Sequence, residues 1–413
     1  MDNNSNVYNP KKQKYLGDRG LVVLIAFLSA FIPLSTDLYL PALPGMTENL
    51  NSSASLINLT LILFFVFYAV GTLFWGPLSD KYGRKKILLI GLTLYTIASI
   101  FCAFAGSVYV LIIFRILQAI GSGAVTAVGT AIVKDVYDGR KRESILAVVQ
   151  SMVMIAPIVA PVIGALILKF LSWRGVFVTL SILGLIASLG GIALVETLEE
   201  RHTGSLLQSM GSLVVVAKNP GFSSLLATFS LNSIPFMAFI TASSYIYVSD
   251  FGLSEQQFSY FFAFNAMFLL VGPLLYLKLS KSFERNSIII GCFCATTLSG
   301  VLICTLGFMK PWLFALLLLP ATLSGGIIRP PSANLMLEQQ KENIGAASSL
   351  MGFVFTFFGC IGMMIISFDW PSRVIVIGLM YVITALVSLK LWFTFSKKPF
   401  VQQIQASDSA LEK

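Results

Sequence analysis

Charge is scarce in this chain. Asp, Glu, Lys and Arg make up 11% of its 413 residues, where soluble globular proteins carry roughly 25%. That excludes an ordinary soluble fold. Histidine is nearly missing: the single His202 falls in a polar stretch, so histidine chemistry inside an apolar core is excluded. The five cysteines are odd in number and lie within apolar runs, which argues against a disulfide framework. Cys292 and Cys294 lack histidine partners, and no metal site is expected of them. The sequence holds no Gly-x-x-x-x-Gly-Lys-Ser/Thr loop, the signature of one ATP-binding site. No nucleophile–base pair stands out, which argues against an enzyme.

Apolar helix fills the chain instead. Hydrophobic residues reach 56%, and mean hydropathy is +0.84. Runs of about 20 apolar residues recur along the whole length, each enough to cross a bilayer core of roughly 30 Å. A barrel would show short alternating segments. The pattern predicts an all-α polytopic membrane protein with twelve spans: 20–43, 56–76, 87–106, 108–133, 144–170, 174–196, 222–248, 257–279, 287–308, 311–337, 344–367 and 371–395. The first apolar run is too long for a signal-peptide core and is read as a retained helix. Lys and Arg crowd alternate connections, among them Lys11, Lys12, Lys81 to Lys86, Arg140 to Arg142, Arg201, Lys278 to Arg285 and Lys341. The positive-inside rule turns these, and both termini, toward the cytoplasm of an inner membrane. The net charge of +9 is then a matter of topology, and no nucleic-acid partner is expected.

The longest polar connection, 197–221, divides the spans six and six. The expected organisation is a cytoplasmic tail 1–20, a six-helix bundle 21–196, a linker 197–221, a second six-helix bundle 222–395 and a tail 396–413. An internal repeat supports the division. Leu78-Ser79-Asp80-Lys81-Tyr82-Gly83-Arg84-Lys85-Lys86-Ile87 aligns with Leu279-Ser280-Lys281-Ser282-Phe283-Glu284-Arg285-Asn286-Ser287-Ile288 at an offset of 201, and Leu, Ser, Arg and Ile match. Two six-helix halves related about the membrane normal are the architecture of the major facilitator superfamily.

Asp37 is the outstanding single residue. It lies about 24 Å of helix beyond Leu21 at 1.5 Å per residue, within Pro33-Leu34-Ser35-Thr36-Asp37-Leu38-Tyr39-Leu40-Pro41. A carboxylate at membrane depth is costly and by default marks a functional site. Loss of water favours the protonated form of any carboxyl group, so such a group suits proton coupling. An interfacial acid wetted from outside, or one capping an unwound backbone near Pro41, is the plainer alternative. Arg115 is the only basic residue inside the first six spans short of their ends. Arg115, Gln118 and Gly121 follow at spacings of three along one helix stripe. Pro157 and Pro161, four apart and followed by Gly164, predict a bent helix with a small-residue face. Tyr39, Tyr68, Asn232, Phe236, Phe239, Tyr245, Phe261, Phe264 and Asn265 are candidates for an aromatic pocket with few polar groups, suited to bulky amphipathic ligands.

The loop Gly76-x-x-x-Asp80-x-x-Gly83-Arg84-Lys85 resembles the superfamily's signature between its second and third helices. The resemblance implies that Asp80 ties the loop to a neighbouring helix as a cytoplasmic gate, with Gly76, Gly83 and Arg84. Charged ends similar to Lys134-Asp135 also flank gates in the family. The glycines are expected to allow a sharp turn and close helix approach. Ser35-Thr36-Asp37-x-Tyr39-Leu40-Pro41-Ala42-Leu43-Pro44 is similar to the first-helix signature of the bicyclomycin-resistance (Bcr/CflA) drug-efflux type, and the likeness runs through nearly the whole chain. It implies that Arg115 assists proton transfer. The Pro157–Pro161–Gly164 stretch resembles a motif of exporters, although Ala156 and Ala165 stand where that pattern has Gly.

Together these readings predict proton-coupled efflux of drug-like molecules across the inner membrane by a monomer. The proton gradient is the expected drive, with no cofactor. A dedicated exporter of one metabolite, such as a siderophore or peptide, and a proton symport importer are the alternatives.

Overall fold

Proline placement decides how the first span folds. The computed structural model describes residues 13–199, 206–340 and 343–401. Within it the first span is a broken run of helices: α1 (Gly17–Ser29), α2 (Phe31–Asp37), a 3₁₀ turn (Leu40–Ala42) and α3 (Leu43–Asn49). Pro33, Pro41 and Pro44 each withdraw a backbone donor from the turn before them. Asp37, expected within the first helix, is the last residue of α2, where that helix ends ahead of Pro41.

The other spans follow. The first half continues with α4 (Ala54–Tyr82), α5 (Arg84–Ala103), α6 (Val108–Val136), α7 (Gly139–Phe170) and α8 (Trp173–Ala193). The short α9 (Leu206–Ala217) then leads to α10 (Pro220–Ser230), α11 (Ser233–Ser244) and a π-helix (Tyr245–Asp250). The last helices are α12 (Glu255–Leu279), α13 (Arg285–Leu306), α14 (Pro311–Glu338), α15 (Ile344–Ile366) and α16 (Arg373–Phe395). Among the described residues there is no strand, and twelve helical segments are long and apolar enough to span a membrane. The seventh span, expected as one helix, is broken after Ser230, just before Pro235. The expectations for Lys11, Lys12, Arg201, His202 and Lys341 fall outside the described residues.

Contacts group the chain into two units, residues 1–39 with 67–206 and residues 40–66 with 207–413. In the first, α5 lies between α6 and α8. Glycine makes these approaches close: a Cβ at Gly121 would stand 2.7 Å from the Gly91 carbonyl oxygen. In the second, α13 packs on α14 and α16, and α11 on α15. A Cβ on Gly326 would meet the Gly272 Cα at 2.9 Å. In the same unit Asn58 donates to the Ser367 hydroxyl at 3.0 Å, and Ser55 donates to the Ser367 carbonyl. Large apolar side chains such as Leu189, Ile186 and Ile383 are exposed, as expected of surfaces that face lipid rather than water.

The motif at 76–86 is tighter than a loop. α4 runs on to Tyr82 and α5 begins at Arg84, so Gly83 alone makes the turn. Its φ of +102° and ψ of +144° belong to a region open essentially only to glycine. Gly76 lies inside α4 with open space where a Cβ would go; it makes neither the turn nor a close approach. A Cβ at Gly83 would also stand 2.5 Å from the Glu196 carboxylate. Gly83→Ala is therefore expected to lower stability by about 1–3 kcal/mol, read as a lower midpoint in thermal unfolding of the purified protein. An unchanged midpoint would mean the turn relaxes freely.

Candidate functional site

Arg115 sits at the centre of the first unit with none of its surface exposed. Its guanidinium donates through Nη1 to the Ser35 carbonyl at 3.1 Å and to Gln118 Oε1 at 2.6 Å. The Tyr39 and Phe177 rings flank it, with centroids at 5.1 and 5.8 Å. The spacing of three that linked Arg115 to Gln118 on paper is a real contact across one turn of α6.

The hydrogen bonds continue into a ring. Gln118 donates through Nε2 to the Ser99 hydroxyl at 2.7 Å, and Ser99 donates to the Tyr95 carbonyl at 2.7 Å. The Tyr95 hydroxyl then meets the Ser35 hydroxyl at 2.6 Å. Ser35, Arg115, Gln118, Ser99 and Tyr95 thus join α2, α6 and α5 in one buried circuit. Buried polar groups need such partners, because an unmatched one is costly in a medium of low polarity. Ser99 and Tyr95 carry no charge and sit in an apolar run, so nothing in the sequence pointed to them beyond their spacing of four in α5.

Asp37 lies two residues past the carbonyl that Arg115 holds. It is buried, at 6% exposure, and Oδ1 accepts from the Thr36 hydroxyl at 2.9 Å. Among the described residues it forms no ion pair within 4.0 Å. Arg115 reaches the backbone beside Asp37 rather than the carboxylate. Gly164 of α7 lies directly against this turn, since a Cβ there would overlap the Leu38 carbonyl oxygen. The helix carrying Pro157 and Pro161 runs unbroken from Gly139 to Phe170.

At the end of the unit that carries Gly83, Arg84 is the joining residue. It bonds Asp135 of α6 through Nε at 2.8 Å and Asp80 through Nη1 at 2.5 Å, and donates to the Ser79 hydroxyl at 2.6 Å. Asp80 therefore bonds within its own motif, and Arg84 makes the tie to the neighbouring helix. The sequence did not single out Glu196. Its carboxylate accepts from the Arg84 and Lys85 amides at 3.0 and 3.3 Å, capping the free donors of the α5 N-terminus. Nearby, Tyr137 donates to Asp18 at 2.9 Å. Burial and that carboxylate push the Tyr137 phenol above its ordinary pKa.

The second unit repeats part of this plan. Arg285, aligned with Arg84 by sequence, bonds Glu338 at the end of α14 at 3.1 Å, as Arg84 bonds Asp135 at the end of α6. Each pocket candidate can be placed by itself. Tyr39 packs at a tilt of 54° against Phe177, with centroids at 5.2 Å, and Tyr68 is half-buried. Tyr245 donates to the Leu43 carbonyl at 3.5 Å. Phe239 stacks on Phe262 at 6.0 Å and Phe261 on Tyr247 at 5.0 Å. Asn265 is buried; its Nδ2 donates to the Phe261 carbonyl, while Oδ1 has no bond among the described residues. Asn232 and Phe236 are half-buried on the α10–α11 break and α11. Phe261 and Phe264 line a groove of about 420 Å³ with Tyr260, Trp312 and Leu316, the last three well exposed.

Twelve helical segments long and apolar enough to cross a membrane define a multi-pass membrane protein. The chain belongs to the Major Facilitator Superfamily, which it matches over residues 25–363. It is 28% identical over 404 residues to "Uncharacterized MFS-type transporter YdgK" of Bacillus subtilis (strain 168), covering 95% of this chain and 98% of that protein. It is 26% identical over 348 residues to a "Bicyclomycin resistance protein homolog" of Haemophilus influenzae, covering 81% and 85%. A solved peptide transporter in complex with sulfate shares the fold with a TM-score of 0.75 at 14% identity, over 95% of this chain and 98% of that one. The drug-efflux resemblance read from the first span is borne out by the second of these.

Proposed function

We propose that this transporter exports drug-like or amphipathic small molecules across the cytoplasmic (inner) membrane in exchange for protons, by alternating access. Its partners are the substrate, protons and the lipid bilayer, and it works as a monomer. The proton gradient supplies the drive without a cofactor. Both termini and the Gly83 turn face the cytoplasm, where basic residues collect.

One observation carries the reading: Asp37 is a buried carboxyl at a helix break, free of ion pairs among the described residues, beside a carbonyl held by Arg115. Exclusion of water favours a neutral carboxyl, whereas a nearby cation favours a charged one. A change in access or in the α2 break shifts that balance, which is what proton exchange requires. Arg84, Asp80 and Asp135 would gate the cytoplasmic end, breaking and reforming their bonds as the halves rock. The drug-resistance relative supports export as the direction.

The test is transport in proteoliposomes with an imposed pH gradient. Chloramphenicol is expected to move against its concentration gradient, and collapse of the gradient by a protonophore to stop it. Movement that ignores the protonophore would refute proton coupling. Absence of movement for chloramphenicol and a panel of unrelated drugs alike would refute drug efflux.

A further inference from the structure

The circuit around Arg115 leaves another membrane-depth cation unused. Arg329 lies nine residues before Glu338, the end of α14, hence about 14 Å along the helix. An Arg at such depth is costly unless it meets a counter-charge, water or carbonyls. Its side chain is accessible, while Ile327, Ile328, Pro331 and Ser332 around it are buried. The exposure is not that of a lipid-facing residue. Trp312 and Leu316, at 51% and 45%, mark the exposed stripe of α14. At about 100° per residue, Arg329 stands roughly 220° around the helix from Leu316.

Among the described residues of its own unit, the neighbouring helices offer no free acid to neutralise it. α14 carries one acid, Glu338, which is bonded to Arg285. Residues 220–249 hold no acid at all, and Asp250 pairs with Arg373 at 2.8 Å. In α12 the only acid is Glu255, in the first turn. Among the described residues Arg329 makes no ion pair. Its partner is the Phe236 ring of α11, whose centroid lies 5.7 Å from Cζ. A ring against one face of a guanidinium leaves the in-plane donors of the fork available, and that fork fits a carboxylate or sulfonate bidentately.

We infer that Arg329 and Phe236 form a subsite for an anionic group, a carboxylate or sulfonate, of a transported compound with an aromatic or apolar body. This rests on the reading of the protein as an exporter of amphipathic molecules, and it makes organic anions and zwitterions favoured substrates. The depth favours a substrate over a lipid phosphate, since headgroups lie outside the hydrocarbon core.

The probes are dansylglycine, which carries a carboxylate, and dansylamide, its neutral analogue, titrated by fluorescence against the full chain in neutral detergent. Wild type is expected to bind dansylglycine more tightly. Arg329→Gln should weaken dansylglycine about 10-fold or more, the range for a lost charge-assisted bond, and leave dansylamide within a factor of two or so. Arg329→Lys should restore part of the loss, and Phe236→Leu should weaken dansylglycine severalfold. Retained dansylamide binding also shows that each variant is folded. Benzoate should displace dansylglycine, and phosphatidylglycerol should not.

Equal affinity of wild type for the two probes, or equal loss of both in Arg329→Gln, overturns the subsite. Displacement by phosphatidylglycerol but not by benzoate overturns the substrate assignment in favour of a lipid site. Because binding is read at equilibrium without a gradient, Arg329-dependent binding with no proton-driven transport would refute the exporter and leave the anion subsite standing.

Discussion

Asp37→Asn is expected to cut pH-gradient-driven drug transport by on the order of 10²-fold or more, the usual scale for losing a positioned proton carrier. Asn keeps the shape of the side chain and can still accept from Thr36 through its amide oxygen. It cannot bind and release a proton. The substitution removes a carboxyl that is buried at a helix break and accepts from the Thr36 hydroxyl, so folding should be preserved or improved. Downhill exchange of labelled against unlabelled drug should persist in the same proteoliposomes. The paired measurement separates coupling from binding: loss of both would make Asp37 a substrate-binding residue, and unchanged gradient-driven transport would remove it from the mechanism.

Gly164→Ala is the second large effect. The added carbon would overlap the Leu38 carbonyl oxygen, and that oxygen belongs to rigid backbone. α7 or the α2 break must move by about an ångström or more to reach ordinary contact at roughly 3.5 Å. A displacement of about 1 Å beside the chemistry is worth on the order of 10²-fold in rate. Transport is expected to fall by that amount, with a lower unfolding temperature in detergent. Gly76→Ala serves as the comparison, since open space surrounds that position, and it should leave stability near wild type. If the two variants behave alike, the contact between α7 and Leu38 is not a constraint.

Much of the architecture was legible because lipid imposes a simple rule. A span must be apolar over about 20 residues and must satisfy its own backbone, so spans and connections can be read from composition. The repeat was legible for a related reason: the Arg84 and Arg285 motifs sit at equivalent turns, and both arginines bond an acid at the end of a neighbouring helix. The departures lie where local chemistry competes with that rule. The first and seventh spans are long enough for single helices, and their prolines divide them.

The site was legible only as to its charges. Asp37 and Arg115 stand out because ionised groups are rare in apolar runs, and Arg84 because it belongs to the charged 76–86 motif. Ser35, Tyr95 and Ser99 do not, because hydroxyl groups are common there and bond their own helix backbone as readily as a neighbour. Only packing shows that the Tyr95 hydroxyl meets Ser35 rather than another group. Glu196 follows the same logic: its role depends on Gly83 bringing the start of α5 to it, 112 residues away in sequence.

The sequence by itself determined the membrane class, the spans, the family likeness and which charged residues lie in apolar runs, because each depends on local composition. The tertiary structure decided which of those charges meet. It gave Arg115 to the Ser35 carbonyl and Arg84 to Asp135, and left Asp37 and Arg329 without acid–base partners among the described residues. Such pairings depend on the approach of helices far apart in the chain, set at glycines where backbones nearly touch, and no local pattern encodes that distance.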